Sequence, residues 1–326
     1  MVGDRDRVRY RRGGVWLPTL VRSCVRHRAH HPQTTHHKPH HNQLPQAADV
    51  EEIREYIAEC QASAFPDAAH PPPLIISKIE STEALDNLDE IIAVSDGIMV
   101  ARGDLGVEIP VEEVTIWQKI MVAKCNMLGK PVVVATQMLE TMQKNPRPTR
   151  AEVSDVTNAL IDGADAVMLS GESANGNYPI ESVRTMQTII QRTEEWIKEP
   201  SLVNSTGHKV EQTTLLALEA AAEGIITSAT SLNAKCIIVS TAAGSKARLV
   251  AKHRPNVPVV AICTVPKVAR QLNIHRGVQP YVGPEIRGLA ARTEAAKMAA
   301  DWGFCDSGDY VVVMDMGGAS NVIQVP

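Results

Sequence analysis

The stretch Leu74–Pro110, LIISKIESTEALDNLDEIIAVSDGIMVARGDLGVEIP, decides how the rest of the chain is read. Its first segment, Leu74–Ile79, is an apolar run too short for a helix, and it finishes on Lys78 and Glu80, two positions apart. Side chains alternate along a strand, so both fall on one face. A second strand, Gly97–Ala101, repeats the plan with Arg102 and Asp104 at its end. The residues between predict a helix over Thr82–Val94, where Leu85, Leu88, Ile91 and Ile92 recur at helical spacing. Strand, helix and strand make a βαβ unit, and parallel strands gather their C-terminal ends at one rim, so Lys78, Glu80 and Asp104 are expected to converge.

A single carboxylate after a strand is most often a loop residue or a helix cap. The combination says more, because hard cations such as Mg²⁺ take oxygen ligands from one or two carboxylates plus substrate oxygens, and Lys78 adds a point charge beside them. Gly103 and Gly106 flank Asp104, and they allow the backbone to approach a ligand or to adopt positive φ. The chemistry this suggests is metal-assisted handling of phosphate.

Beyond this unit, β and α segments alternate. Pro110 opens a helix, Val111–Leu128, with Trp117, Ile120 and Met121 as its apolar stripe and Gly129 as its stop. A strand over Pro131–Ala135 ends on Thr136 and Gln137, which read equally as a hydroxyl at an active rim or as a helix cap. Thr149-Arg150-Ala151-Glu152 is a capping box that starts a helix running to Asp162. A strand over Ala164–Leu169 ends on Ser170-Gly171-Glu172, and a helix over Ile180–Ile197 buries Met186, Ile189, Ile190 and Thr193. After a polar linker over Glu199–His208, a second domain begins at Val210. Its strands are expected over Lys235–Ser240, Val257–Cys263, Tyr310–Asp315 and Asn321–Val325, with a helix over Ala247–His253. The loop Thr241-Ala242-Ala243-Gly244-Ser245-Lys246 joins a strand to a helix N-terminus, a geometry that suits phosphate through backbone N–H groups and the helix dipole; Thr241, Gly244, Ser245 and Lys246 are its candidate contacts.

Composition narrows the class. The 326 residues are 44% hydrophobic and 21% charged, ordinary for a globular chain with room for two cores. Aromatics make up only 3% and the formal net charge is -4, which argues against a base-stacking or electrostatic nucleic-acid surface. No apolar run approaches the length of a membrane helix. Six cysteines, at 24, 60, 125, 236, 263 and 305, are scattered without a C-x-x-C pair, so neither a zinc site nor a disulfide framework is indicated and a reducing compartment fits. Residues 1–46 differ in kind, with nine Arg or Lys against Asp4 and Asp6 and seven histidines between His27 and His41. Disorder is expected of that tract; a metal-binding histidine run or an Arg-rich organelle leader are the alternatives.

The segments IISKIE and SDGIMVARGDLGVEIP, followed in order by KPVVVATQMLETM (130–142), NPRPTRAEVSDV (145–156) and GADAVMLSGESANGNYP (163–179), resemble the core of the pyruvate kinases. The likeness begins near Ala47, with AADVEEIREYI, and runs to the C-terminus. It implies an α/β fold, the C-terminal half of a (β/α)8 barrel over residues 47–204 followed by a small open α/β domain over 205–326, behind the basic segment 1–46. It implies phosphoryl transfer from phosphoenolpyruvate to ADP, giving pyruvate and ATP in glycolysis. By resemblance Glu80 and Asp104 bind Mg²⁺ or Mn²⁺, Lys78 stabilises phosphoryl and enolate charge, and Gly103 and Thr136 contact substrate. Thr136 and Ser170 lie near the path of proton delivery. The loop at Thr241–Lys246 matches the family's effector loop, but the C-terminal hairpin MDMGGASN has no Trp or Arg to clamp a second phosphate. K⁺ is expected of the family; its ligands, the lid domain and the first four barrel strands fall in motifs that this chain does not match. The resemblance therefore leaves two expectations. One is a magnesium-dependent cytoplasmic kinase, or a plastid one if the basic segment is a leader, that forms homo-oligomers. The other is a non-catalytic remnant that binds a phosphorylated effector or full-length subunits.

Overall fold

The structure is a computed structural model, and it describes residues 46–64, 71–197 and 217–326. Nearly all of the basic segment 1–46, the polar linker at 199–208 and the helix start at Val210 lie outside the described residues. The chain divides into two compact units, with the division between Met186 and Gln187.

The first unit is a run of β/α repeats. Helix α1 (Ala47–Ala64) precedes β1 (Ile76–Ile79), which is followed by α2 (Thr82–Asp86), α3 (Leu88–Val94), β2 (Gly97–Ala101), α4 (Arg102–Glu108) and α5 (Val111–Leu128). Strand β3 (Val132–Ala135), a 3-10 turn (Glu140–Gln143), α6 (Arg150–Asp162), β4 (Ala166–Met168), α7 (Gly171–Ala174) and the start of α8 (Pro179–Ile197), the helix within which the division falls, complete it. The strands form one parallel sheet in the order β1-β2-β3-β4. Ile79 pairs with Val100, and Ala101 with Ala135, which in turn pairs with Met168, so the strand ends are level and the residues after them share one rim.

Local sequence explains most of these elements. Ser81 caps α2 by accepting from the Ala84 N–H, and the capping box of Thr149 and Glu152 is present at the start of α6. Gly129 ends α5 at φ 66, where a residue with a side chain would be strained. Lys130 donates to the carbonyls of Ile92, Ala93 and Ser95, which ties the end of α3 to the start of β3. On α8 Met186, Ile189, Ile190 and Thr193 are all buried, as their spacing predicts.

Three expectations are corrected here. The helix expected over Thr82–Val94 is broken at Asn87, whose side chain donates to the Glu83 carbonyl and so competes with the helical ladder. The buried face of α5 is Val114, Gln118, Met121, Val122 and Cys125; Trp117 and Ile120 sit half-buried to one side of it. Gly103 and Gly106 lie within helix α4 and have no positive φ, so backbone handedness does not account for them.

The second unit holds α9 (Ala217–Ser231), β5 (Ile237–Thr241), α10 (Ser245–Lys252), β6 (Val259–Cys263), α11 (Pro266–Leu272), β7 (Val278–Val282), α12 (Gly288–Asp301), β8 (Tyr310–Met314) and β9 (Ser320–Gln324). Its sheet runs β7-β6-β5-β8-β9, with only the β8–β9 hairpin antiparallel. The inner strands β6, β5 and β8 are buried on both faces apart from Tyr310, as strands covered by helices must be, whereas the edge strands β7 and β9 are partly exposed. Ile237 and Val239 point into a core shared with α9, α10 and α11, and Cys236 and Ile238 into one shared with α12. Strand β7 was not expected from the sequence, because Pro280 interrupts it. It occupies an edge, where a missing N–H is tolerated. Among the described residues no helix is long and apolar enough to cross a membrane.

Candidate active site

The level ends of β1, β2 and β3 bring the sequence-predicted residues of the first unit together. Lys78 Nζ donates to Asp104 Oδ2 at 2.8 Å and also to Glu80 Oε2, so one ammonium joins carboxylates from two neighbouring strand ends. Partial burial alone would lower the Lys78 pKa, but its hydrogen bonds and charge attraction to Asp104 and Glu80 outweigh that and raise it above the ordinary lysine value. All three groups stay open to water, the Asp104 side chain being 61% exposed.

This donor set fits a hard divalent cation. The two carboxylates could supply oxygen ligands, the Lys78 ammonium already occupies a cationic position between them, and their exposure would leave room for water. Among the described residues no group of three or more His, Cys, Asp or Glu side chains is arranged to hold a metal ion, so a cation here would rely on these two carboxylates. No described residue is assigned to K⁺.

Beside the charged group, the Gly103 N–H donates to Thr136 Oγ1 at 2.7 Å, and Thr136 Oγ1 donates to the Ala135 carbonyl at 2.6 Å. A Cβ at position 103 would meet Thr136 Oγ1 at 3.4 Å, at the near edge of ordinary van der Waals contact, so helix α4 packs directly against this side chain. Thr136 and Gln137 have φ values of 69 and 54, a region that side-chain-bearing residues avoid. Neither residue caps a helix; a 3-10 turn follows them, and the alternative left open by the sequence is thereby closed.

The segment from Thr136 to Gln143 is fastened by three charged residues that the sequence did not single out for this task. Arg102 donates from Nη2 to the Thr136 carbonyl (2.7 Å), from Nε to the Ala135 carbonyl (3.3 Å) and from Nη1 to Asp155 (2.6 Å). Glu172, fully buried, accepts from the Leu139 N–H at 3.0 Å and the Ser170 N–H at 2.8 Å. Glu152, besides closing its capping box, accepts from the Thr141 N–H and hydroxyl, each at 2.7 Å. Burial would raise the Glu152 pKa; the hydrogen bonds from Thr141 and Thr149 outweigh it and hold the carboxyl below the usual glutamate value. The only sequence signal for Arg102 and Glu172 is their place directly after an apolar strand.

In the second unit the candidate phosphate loop lies between β5 and α10. Gly244, at φ 82, donates its N–H to Thr241 Oγ1 at 2.9 Å, and Ser245 begins α10. Lys246 is turned onto the hairpin, where Nζ donates to the carbonyls of Asp315 and Met316. The hairpin carries no arginine of its own, but Arg292 of α12 reaches it and pairs with Asp315 and Asn321. Burial would raise the Asp315 pKa, and Arg292 more than offsets this, so the carboxyl stays below its usual range.

Known proteins resemble the chain along both units. Residues 43–183 match the family pattern described as "Pyruvate kinase, barrel domain" and residues 219–325 the one described as "Pyruvate kinase, alpha/beta domain". A pyruvate kinase of Clostridium acetobutylicum is 46% identical over 258 residues, which cover 77% of this chain and 54% of that protein. One from Leishmania mexicana is 48% identical over 251 residues, 74% of this chain and 49% of that protein. The crystal structure of a pyruvate kinase from Cryptosporidium parvum superposes with a TM-score of 0.77 at 41% identity, over 87% of this chain and 58% of that one. The chain thus spans about half the length of the curated relatives it matches. Motif order, sheet topology and sequence identity agree in both units: the chain belongs to the pyruvate kinase family.

Proposed function

We propose that the first unit carries the metal- and phosphate-handling rim of a phosphotransferase that moves a phosphoryl group between phosphoenolpyruvate and ADP, with pyruvate and ATP as products. The observation that carries this reading is the ammonium of Lys78 joined to Glu80 and Asp104 at adjacent strand ends, next to the Gly103–Thr136 contact. Glu80 and Asp104 would hold Mg²⁺ or Mn²⁺, which when bound supplies Lewis-acid neutralisation of phosphoryl oxygens. Lys78 places a fixed positive charge where the bridging oxygen of the donor and the resulting enolate carry negative charge. Thr136 Oγ1, whose single proton goes to the Ala135 carbonyl, keeps a lone pair that can order a water for protonation of the enolate, and Ser170 lies at the end of the neighbouring strand. The backbone at Gly103 lets substrate approach without a side chain in the way. Free thiols at Cys60, Cys125, Cys236, Cys263 and Cys305 suit a reducing compartment, the cytoplasm in this proposal. Assembly with further copies as a homo-oligomer belongs to the same proposal.

Mn²⁺ binding to the full chain, followed by electron paramagnetic resonance, tests the site. Replacing Glu80 with Gln and Asp104 with Asn together is expected to weaken binding roughly 10²-fold or more. Unchanged binding in the double variant overturns the assignment. Pyruvate formation from phosphoenolpyruvate and ADP, with Mg²⁺ and K⁺ supplied, tests the reaction. One observation favours a second reading, binding of a phosphorylated ligand without turnover: the second unit has complete cores on both faces of its own sheet and exposes Ala242, Ala243 and Ser245 at a strand end. Saturable binding of a sugar phosphate, lost in Ser245→Asp, which sets a carboxylate at the exposed first position of α10, with no pyruvate formed, would select it.

A further inference from the structure

We infer that Arg102 is the positioning residue that sets the backbone of Thr136 and so aims its hydroxyl at the rim; its consequence for turnover rests on the phosphotransferase reading. The Ala135 and Thr136 carbonyls belong to the two peptide groups on either side of the Thr136 Cα. Arg102 donates to both, at 3.3 and 2.7 Å, so one guanidinium fixes the two planes whose rotation would change φ and ψ of Thr136. Such a clamp is needed because φ 69 is an unfavourable conformation for a β-branched residue, and strained backbone persists only where its surroundings over-determine it.

The guanidinium is itself held. Its side chain is 10% exposed, and Nη1 donates to Asp155 at 2.6 Å and to Gln118 Oε1 at 3.2 Å. Asp155 gives it a local counter-charge, while Lys78 pairs with Glu80 and Asp104. The next residue in the chain completes the arrangement: the Gly103 N–H donates to Thr136 Oγ1 while that oxygen donates to the Ala135 carbonyl. Arg102 and Gly103 together therefore fix both the backbone and the hydroxyl of Thr136. Three nitrogens in a planar fork serve both carbonyls, Asp155 and Gln118 at the same time, a spread that the single nitrogen of a lysine does not cover.

The test compares Arg102→Lys with the parent in the full chain. Lysine keeps a charge for Asp155, but its single nitrogen cannot reach Asp155 and both carbonyls together. The Thr136 methyl resonance, in threonine-labelled protein, is expected to shift or broaden. The kcat is expected to fall roughly 10²-fold, as for a misplacement of about 1 Å, while Mn²⁺ affinity stays within about twofold because Glu80 and Asp104 are untouched. In a Thr136→Ala background the same change is expected to leave kcat nearly unaltered, since the residue it positions is gone. If Arg102→Lys does not fold, the pair Arg102→Met with Asp155→Leu removes both charges together and takes its place. An unmoved Thr136 resonance with unchanged kcat overturns the inference, and so does a parallel loss of kcat and Mn²⁺ affinity. If the parent chain forms no pyruvate, the phosphotransferase reading fails by itself, and the methyl resonance still decides whether Arg102 sets Thr136.

Discussion

Two strand ends in this molecule solve the same turning problem in opposite ways. After β5 the left-handed residue is Gly244 at φ 82, and a threonine hydroxyl from Thr241 closes the loop. After β3 the left-handed residues are Thr136 and Gln137, which each cost on the order of 1–2 kcal/mol in that region, and three charged side chains are needed to hold the segment. A glycine would have made the second turn as easily as it makes the first. On the proposed phosphotransferase reading, Thr136 stands there for its hydroxyl group at the rim, and the strain would mark a position where local stability is subordinate to chemistry.

The largest effect expected from this contrast is at Gly244. A Cβ there would lie 3.1 Å from Leu272, 3.2 Å from Arg248 and 3.3 Å from Val268, on top of the left-handed φ. Gly244→Ala is expected to destabilise the second unit by about 2–3 kcal/mol, strain and crowding adding together. Urea unfolding followed by a probe in that unit measures it. A loss below about 0.5 kcal/mol would mean that the loop relaxes freely and that the two turns differ less than their geometry implies.

Charge is the second difference. The β3 segment relies on carboxylates, including Glu152, whereas the β5 loop closes on a hydroxyl. Because the folded Glu152 pKa is depressed, its contribution is fully present above the ordinary glutamate pKa and is lost as pH falls through the lower folded value. Acid should therefore loosen the Thr136–Gln143 segment and leave the Thr241–Gly244 loop unaffected. Hydrogen exchange at the Thr141 amide is expected to accelerate at acid pH relative to the Gly244 amide. Glu152→Gln should remove that pH dependence and weaken the segment at neutral pH by about 1–2 kcal/mol, since hydrogen bonds to a charged acceptor are replaced by neutral ones. Equal pH responses at the two amides would break the comparison.

How far these features were legible depends on whether their causes are local. Lys78, Glu80 and Asp104 could be placed from strand periodicity and the parallel βαβ rule, and α6 from a capping box written within four residues. Gly129 could be read as a helix stop for the same reason. The break at Asn87 turns on a competition between a side chain and a helical ladder that composition does not decide. Strand β7 was hidden by Pro280, which only an edge position tolerates, and edge positions are a property of the whole sheet. Arg102 was visible at a strand end, but its partners lie 16 to 53 residues away, and no spacing in the sequence relates them. The positive φ of Thr136 was likewise invisible, since nothing in its own sequence favours that conformation.

The smallest effect expected is the most direct check on the idea that strain at the β3 turn is tolerated for the sake of Thr136 alone. Gln137 shares the left-handed backbone, its side chain is exposed, and no role at the rim is assigned to it. Gln137→Gly relieves about 1–2 kcal/mol of backbone strain and costs about 0.5–1 kcal/mol through the extra freedom of the unfolded chain. The net is a gain of roughly 0.5 kcal/mol, opposite in sign to Gly244→Ala although each change exchanges a glycine and a side chain at a left-handed position. Thermal unfolding of the full chain, read by a probe in the first unit, should show a small rise in Tm. A loss of about 1 kcal/mol or more would show that the Gln137 side chain itself supports the turn. The strain would then belong to the whole segment, and Thr136 would lose its standing as the reason for it.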